Sequence, residues 1–446
     1  MTNKKPIVTR FPPSPTGPLH VGNVRTALFN YFFARQNQGT FIVRIEDTDK
    51  ARSKKEYEDN MLNNLKWLGI SYDNEVLLHQ STRTPIYKKY LEKLIADGKA
   101  YVSPETEGEN KEVVRFKNPN IKITFADLVR GDVTIDTTDL GDFIIARNIY
   151  EPVYHLVVVI DDFEQGITHV IRGEDHISNT PRHILIQEAI GAPRPIYAHL
   201  PLVLAPDRSK LSKRKHGEMV SLDYYKELGY LPEAIINFLG LLGFNSGNDQ
   251  ELFSMADFIK IFDFNKIQKG GATFNIEKLK WFNKEYMKKL YAEGKLRPEN
   301  YLAEVFRKNR TEEQIKTLFL LVFERASTLN DLKITEENPE WNFLIKNPEY
   351  EATRLLWKGE SDAKQTQKHL SFVAEKLQKK GASKEELKES VMKYAEAKGK
   401  GSVLWPLRYA LSGKEKSPDP FTLLNLLGNE KSLERIQIAK TKLSSL

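Results

Sequence analysis

Residues Arg10 to Asn23 read RFPPSPTGPLHVGN and separate a short apolar run from a segment with helical periodicity. The four prolines fix the backbone φ angle and exclude a helix in the first part of this stretch. Gly17 and Gly22 permit a ligand to approach the main chain, and His20 beside them can donate to a phosphate oxygen. A strand, a turn and a helix in this order point backbone N–H groups at an anion. The stretch predicts a βα unit with a phosphate-binding turn; the alternative is a proline-rich connection with a chance histidine.

A second candidate for phosphate binding is the cationic loop at residues 210–215, which reads KLSKRK. It follows residues 196–204, an apolar run that we predict to be a strand of the same sheet. Cations opposite a turn of backbone N–H groups would stabilise charge on a phosphoryl group during transfer at the α-phosphate of a nucleotide. Alone, this loop is more simply an exposed basic segment. Its position after a strand favours a shared crevice with the proline-rich turn.

The order of the predicted elements indicates an α/β fold class. Strands alternate with helices before and after a stretch of short strands, which predicts a Rossmann-like parallel-sheet domain with an α+β insertion. Residues 153–160 are almost continuously apolar and are predicted to form a strand covered on both faces. From about residue 291 onward the pattern is mainly helical.

Capping residues predict individual helix ends. Gly39 is expected to close the first helix, and Thr180 and Gly191 are expected to bound a later one. The strand that follows Gly39 runs into Glu46, at the sheet edge where ligands of parallel sheets bind. A solvated turn is the alternative explanation for a carboxylate at that position.

Composition narrows the functional classes. The 446 residues include no cysteine, which excludes disulfides, thiolate zinc sites and cysteine nucleophiles. No apolar segment approaches the length of a membrane span and no secretory signal is evident, so we predict a cytoplasmic protein without a membrane partner. The net charge of +7 permits an RNA partner, although a lysine-rich proteome would produce the same excess.

Further blocks accompany the two loops in a fixed order: RIEDTD at 44–49, VIRGEDH at 170–176, LGYLPEA at 228–234 and WPLR at 405–408. Together they resemble the bacterial-type glutamyl-tRNA synthetases, a family of class I aminoacyl-tRNA synthetases, over almost the whole chain. The resemblance implies mainly helical stem-contact and anticodon-binding domains after the catalytic domain. The implied ranges are 1–80 and 153–209 for the catalytic domain, 81–152 for an inserted acceptor-end-binding module, 210–290 for stem contact and 291–446 for anticodon binding.

The resemblance also implies roles for individual residues, with no residue assigned to a metal. The catalytic residues would be His20, Lys210 and Lys213. ATP would contact Pro13, Thr16, Gly17, His20, Gly22, Asn23 and Lys213. Glutamate would contact Arg10, Ser14, Glu46, Tyr154 and Arg172. A planar guanidinium group binds a carboxylate through two hydrogen bonds, which suits the two arginines to an acidic substrate.

The implied reaction ligates L-glutamate to tRNA(Glu) through a glutamyl-adenylate, with ATP as substrate, Mg²⁺ bound to ATP, and the enzyme a monomer. Many members of the family have a cysteine-rich zinc site in the insertion, but this chain has Tyr101 to Glu105 there and no cysteine, so we predict no zinc. The second loop has Leu211 where the class has methionine. It also has Arg214 where the class has serine.

Alternatives to this interpretation differ in substrate or in activity. A non-discriminating enzyme would also charge tRNA(Gln). A glutaminyl enzyme would have a β-rich C-terminal half. A shorter glutamyl-queuosine-type paralogue would lack the helical C-terminal part. An RNA-binding protein without full aminoacylation would be expected if a signature were eroded. A small-molecule adenylyltransferase would not need the segments that resemble tRNA contacts.

Overall fold

The computed structural model describes residues 6–105, 111–358, 362–379 and 383–446, and of Lys213 only the backbone. The chain divides into two compact units, Met1–Tyr286 and Met287–Leu446, which are described separately. None of the helices among the described residues is long and apolar enough to span a bilayer.

Parallel strands organise the first unit. Its strands are β1 Val8–Phe11, β2 Thr40–Ile45, β3 Leu78–His79, β4 Ala100–Pro104, β5 Glu112–Phe116, β6 Lys122–Asp127, β7 Gly131–Asp136, β8 Phe143–Ala146, β9 His169–Gly173, β10 Ile196–Leu200, β11 Val203–Leu204 and β12 Ala272–Thr273. The strands β1, β2 and β3 pair in parallel, as do β9, β10 and β6. The two sets meet where Thr168 N donates to Val8 O at 3.0 Å.

This junction makes the strand order β3-β2-β1-β9-β10-β6, with β7 antiparallel at the edge. The chain moves outward from β1 to β3 on one side and from β9 to β10 on the other. Ligands of open α/β sheets bind at the carboxyl ends of the strands where the order reverses. The crevice after β1 and β9 is therefore the expected site.

The helices are α1 Val21–Gln36, α2 Lys55–Trp67, α3 Thr84–Ala96, α4 Tyr154–Glu164, α5 Thr180–Ile190, α6 Lys213–His216, α7 Leu222–Glu227, α8 Pro232–Leu241, α9 Met255–Ile261 and α10 Ile276–Ala292. The first of them, α1, contacts β1, β2 and β9 as well as α8 and α9. Its Phe32 stacks on Phe258 of α9 with ring centroids 5.1 Å apart. Because α1 is buried on several sides, its N-terminus is held firmly at the crevice.

The stretch of short strands divides between two sheets. Strands β4, β5 and β8 form an antiparallel sheet of their own. The hairpin of β6 and β7 instead extends the parallel sheet, because β6 pairs with β10 at Asp127 and Tyr197. The four predicted domain ranges stay a prediction.

The prediction of a strand at residues 153–160 is wrong, because Tyr154–Glu164 forms the helix α4. The residues from Leu156 to Ile160 are all at most 2% exposed, so the helix is buried around most of its circumference. A short apolar run gives the same hydrophobic pattern for a buried strand and a buried helix. The buried Asp161 and Asp162 that follow are held by arginines described below.

Gly39 does not close the first helix as predicted. The helix α1 ends at Gln36 with Asn37 as its C-cap, and Gln38 adopts a positive φ of 51°. A Cβ atom at Gly39 would lie 2.4 Å from the carbonyl oxygen of Ile7. Glycine is required there by the close approach of the backbone at Ile7, just before β1, because any side chain would collide with it.

The later helix α5 is bounded differently at its two ends. Thr180 lies inside the helix and Asn179 precedes it, so the predicted N-cap is wrong by one residue. Gly191 ends the helix with a φ of 74°, as predicted.

The second unit is mainly helical, as predicted. Its helices after α10 are α11 Glu304–Arg307, α12 Glu312–Arg325, α13 Ala363–Gln378, α14 Lys384–Lys398, α15 Lys400–Ser412 and α16 Pro420–Leu443. Gly428 interrupts α16 with a φ of 76° and a ψ of 168°. Arg435 on α16 is 1% exposed and donates to the carbonyl groups of Phe343, Lys346 and Leu411.

Arg435→Ala is expected to lower the free energy of unfolding by about 3 kcal/mol, measured by urea unfolding. The substitution leaves buried carbonyl groups without their donor and opens space beside α16. Arg354→Ala is the matched control, since that side chain is 61% exposed and is expected to change stability by less than about 1 kcal/mol. Equal effects of the two substitutions would contradict the role of Arg435.

Candidate active site

Two buried arginines share a carboxylate at the carboxyl ends of β1 and β2. Arg10 on β1 is 2% exposed and donates through Nε to Asp162 of α4 at 3.2 Å. Arg44 on β2 donates to Asp162 at 2.8 Å and to Glu46 at 3.1 Å. Nη1 of Arg10 is buried without a hydrogen-bond partner in the described part of the chain. This guanidinium group therefore keeps a donor for a ligand.

The carboxylates of Asp162 and Glu46 differ in how well neighbouring cations balance their negative charge. Burial disfavours the Asp162 anion, but Arg10 and Arg44 outweigh burial and hold the pKa of Asp162 below its ordinary value. Burial raises the pKa of Glu46 although Arg44 opposes the rise. Glu46 would thus be stabilised as an anion by one further cation, such as the ammonium group of an amino acid.

Arg172 on β9 is 6% exposed and is surrounded by neutral acceptors. It donates to His199 Nε2 at 3.2 Å, to His183 Nδ1 at 3.1 Å, to Thr180 Oγ1 at 2.8 Å and to the carbonyl of His176 at 3.3 Å. Burial lowers the pKa of Arg172 from its ordinary value. Among the described contacts no carboxylate bonds to this guanidinium group, so its charge is available to an anion.

Tyr154 at the start of α4 completes the same pocket. Its hydroxyl lies 3.3 Å from Nδ1 of His176, and burial raises its pKa. The charges that influence this pKa belong to four groups: Arg172, Glu46, Arg10 and Asp162. Hydrogen bonds link Tyr154 to Arg172 through His176, and Arg10 to Glu46 through Asp162 and Arg44. The linked set includes four of the five predicted glutamate contacts. The fifth, Ser14, lies on the adjoining turn with an exposed side chain.

The two predicted phosphate loops meet at His20, the N-cap of α1. Nδ1 of His20 accepts from the backbone N–H of Gly22 at 2.9 Å, which leaves Nε2 as the donor. Burial and the charge of Lys210 lower the pKa of His20, while a hydrogen bond with the backbone of Leu211 opposes that change. Lys210 itself pairs with Asp175 at 2.8 Å. The predicted catalytic Lys213 has a side chain outside the described residues.

The turn before α1 is anchored by its backbone and leaves side chains free. Pro13 O accepts from the N–H of Glu46 at 3.0 Å, which joins the turn to the end of β2. A Cβ atom at Gly17 would meet nothing within 4 Å, so the protein itself does not require glycine there. Thr16 and Asn23 have exposed side chains beside this open space.

Sequence reasoning assigned no role to Asp161, Asp162 or Arg44, although each orders the pocket. Asp161 accepts from Arg83 and from the hydroxyl of Tyr87, both at 2.8 Å. The usable signal was an acidic pair inside an apolar run, since buried carboxylates need partners. The described residues contain no group of three or more histidine, aspartate or glutamate side chains placed to hold a metal ion.

Comparisons with known proteins agree with this architecture. A family model described as tRNA synthetases class I (E and Q), catalytic domain, matches residues 6–109 and 104–281. A second model, an anticodon binding domain, matches residues 278–440.

Relatives match the chain over nearly its full length. The glutamate–tRNA ligase of Aquifex aeolicus is 40% identical, over 98% of this chain and 99% of its own length. The glutamate–tRNA ligase of Bacillus subtilis is 37% identical, over 96% of this chain and 98% of its own length. The crystal structure of a glutamate tRNA ligase from Elizabethkingia meningosepticum in complex with its amino acid is similar, with a TM-score of 0.83 and 33% identity. The structural match covers 98% of this chain and 100% of the Elizabethkingia chain.

The parallel sheet with its two converging loops, followed by a helical anticodon-binding part, is the architecture of a class I aminoacyl-tRNA synthetase. Within that class, the chain belongs to the glutamate–tRNA ligase family. The predicted fold class and the family resemblance are confirmed.

Proposed function

We propose that this chain ligates L-glutamate to tRNA(Glu) in two steps. The α-carboxylate of glutamate attacks the α-phosphorus of ATP, which forms glutamyl-adenylate and releases pyrophosphate. The terminal adenosine of the tRNA then attacks the mixed anhydride, which forms glutamyl-tRNA and releases AMP. The substrate provides the nucleophile in both steps, so the protein contributes position and charge stabilisation.

The charge balance of the buried pocket is the observation that best supports this substrate. Arg10, Arg44 and Arg172 contribute three positive charges, while Glu46 and Asp162 contribute two negative charges. These five groups together carry one excess positive charge, and the Asp127 carboxylate lies behind the neutral His199 on the far side of Arg172. Glutamate carries one net negative charge at neutral pH, so its binding neutralises the site.

This balance discriminates against glutamine, which has the same shape and no net charge. A site with buried groups arranged for a particular partner rejects an analogue that leaves them unpaired. Arg172 and Nη1 of Arg10 would bind the substrate carboxylates, and Glu46 would bind the α-ammonium group. Tyr154 and Ser14 would complete the pocket from the two sides.

The N-terminus of α1 is suited to the phosphates of ATP. The positive end of the α1 dipole and the Nε2–H of His20 would stabilise charge on the phosphoryl oxygens, with a phosphate oxygen replacing the backbone of Leu211 as the acceptor from His20. Gly17 and Gly22 would lie close to the nucleotide. Lys210 lies beside His20, and Lys213 on the same loop is proposed to stabilise the transition state.

Further proposals rest on the sequence. The enzyme acts as a monomer in the cytoplasm, without zinc in its insertion. Mg²⁺ enters with ATP as part of the substrate. The catalytic ranges 1–80 and 153–209, the insertion 81–152, the stem-contact range 210–290 and the anticodon-binding range 291–446 are the proposed domains.

Charging of purified tRNAs with labelled amino acids tests the reaction. We expect glutamate to be attached to tRNA(Glu) and glutamine to neither tRNA. Attachment of glutamate to tRNA(Gln) as well would identify the non-discriminating alternative. Failure to charge any tRNA, with retained tRNA binding, would favour a tRNA-binding paralogue without full aminoacylation.

A further inference from the structure

Asp127 at the end of β6 is a buried carboxylate that contacts the imidazole of His199. Its Oδ2 lies 2.6 Å from Nδ1 of His199 on β10, and neither side chain is exposed. Its Oδ1 accepts from the backbone N–H groups of Val129 and Arg130, both at 2.9 Å. The carboxylate is thus held by the backbone while it faces the imidazole. A carboxylate in this position requires a proton on Nδ1.

The opposite edge of the same imidazole faces Arg172. Nε of Arg172 donates to Nε2 of His199 at 3.2 Å. Because a guanidinium group has no acceptor, Nε2 must offer its lone pair. One tautomer of His199 satisfies both neighbours, with its proton on Nδ1 toward Asp127 and its lone pair on Nε2 toward Arg172.

The three side chains lie on three adjacent parallel strands. His199 pairs with Arg172 in the ladder of β10 and β9. Asp127 pairs with Tyr197 in the ladder of β6 and β10, two residues before His199 and on the same face. The line from Asp127 through His199 to Arg172 therefore connects the hairpin of β6 and β7 to the pocket.

We propose that Asp127 is a positioning residue for amino-acid binding, which acts by fixing the tautomer of His199 and thereby the orientation of the Arg172 guanidinium group. The inference rests on the proposed role of Arg172 as a contact of the substrate carboxylate. Without the carboxylate of Asp127, the imidazole can place its proton on Nε2, where it faces the N–H of Arg172. The guanidinium group then loses an acceptor and its fixed direction.

Electrostatics agrees with a neutral imidazole between the two charged groups. Burial lowers the pKa of His199 although the bond to Asp127 opposes this change. Burial disfavours the Asp127 anion, yet the hydrogen bond from His199 and the backbone N–H groups hold its pKa below the ordinary value. Asp127 therefore stays an acceptor and His199 stays neutral at physiological pH, as the proposed arrangement requires.

Asp127→Asn changes the tautomer with little change in shape. The amide keeps an oxygen for Val129 and Arg130 and presents an N–H to Nδ1 of His199. We expect the KM for glutamate to rise at least about 10-fold, which is the scale of losing a group that orients a metal-binding side chain. The kcat of aminoacylation and the KM for ATP are expected to stay within about two-fold. Asp136→Asn is the control, because Asp136 lies exposed at the end of β7. The KM of this variant for glutamate is expected to be unchanged.

A pair of substitutions at His199 tests the acceptor directly. His199→Gln provides an amide oxygen in place of Nε2, whereas His199→Leu provides a similar volume without an acceptor. We expect the glutamine variant to have a KM for glutamate at least about five-fold below that of the leucine variant. This comparison remains decisive if Asp127→Asn folds poorly, which thermal melting would detect.

The outcomes separate this proposal from the function on which it rests. If Arg172→Leu leaves the KM for glutamate unchanged, the proposed role of Arg172 is wrong. If Arg172→Leu raises the KM but folded Asp127→Asn does not, the hydrogen bond between Asp127 and His199 is only structural and the positioning role is overturned. Equal KM values for the two His199 variants would overturn it as well.

Discussion

Arg172→Leu is expected to raise the KM for glutamate by about 10²-fold or more, with a much smaller change in the KM for ATP. The substitution removes the buried guanidinium group that bonds only to neutral acceptors among its described contacts. The pocket then has no excess positive charge, so a substrate carboxylate would be buried without a partner. Breaking a buried charge pair costs about 3–5 kcal/mol, and 1.4 kcal/mol is about tenfold in affinity.

The matched control for this prediction is Arg194→Leu. Arg194 is 41% exposed and pairs with Glu188 near the surface, so its loss is expected to leave both KM values within about two-fold. Steady-state aminoacylation with glutamate varied at saturating ATP provides the comparison. Equal KM values for glutamate in the two variants would show that Arg172 does not bind the substrate.

His20→Ala is expected to lower the exchange of pyrophosphate into ATP by about 10²-fold or more. Nδ1 of His20 accepts from Gly22, so Nε2 carries the proton, and a phosphate oxygen would replace the backbone of Leu211 as its acceptor. Loss of one preorganised donor at a developing charge has an effect of this size. The sequence predicts the same loss for Lys213→Ala on the second loop.

The helix-capping role of His20 must be separated from its chemistry. His20→Asn retains a side chain that can cap α1 and lacks the distant Nε2 donor. We expect it to melt near the wild-type temperature and still lose most of its exchange activity. His79→Ala, on β3 with a side chain 31% exposed, is the control and is expected to retain exchange. Exchange at the wild-type rate in His20→Asn would show that His20 only caps α1 and does not contribute to the reaction.

The sequence was most informative where its residue types restrict the backbone conformation. Prolines and glycines between Arg10 and Asn23 leave few conformations, so the turn, the strand before it and the helix after it were predictable. Residues 153–160 were not, because an apolar run of that length fits a buried strand or a buried helix. Only the packing of α4 against α3, α5 and β8 decides between them.

The pocket contains interactions that no local pattern encodes. Arg10 and Asp162 are 152 residues apart, and Asp127 and His199 are 72 apart. Their pairing depends on which strands become neighbours in the folded sheet. Family resemblance indicated Arg10 and Arg172 as candidates, whereas the carboxylates and imidazoles that orient them are brought together only by the fold.

The most direct test of the account compares the affinities of the enzyme for glutamate and glutamine by calorimetric titration. A pocket with one excess positive charge is predicted to bind glutamate about 10³-fold more tightly than its neutral isostere. Affinities within about three-fold of each other would contradict the claim that buried charge selects the substrate.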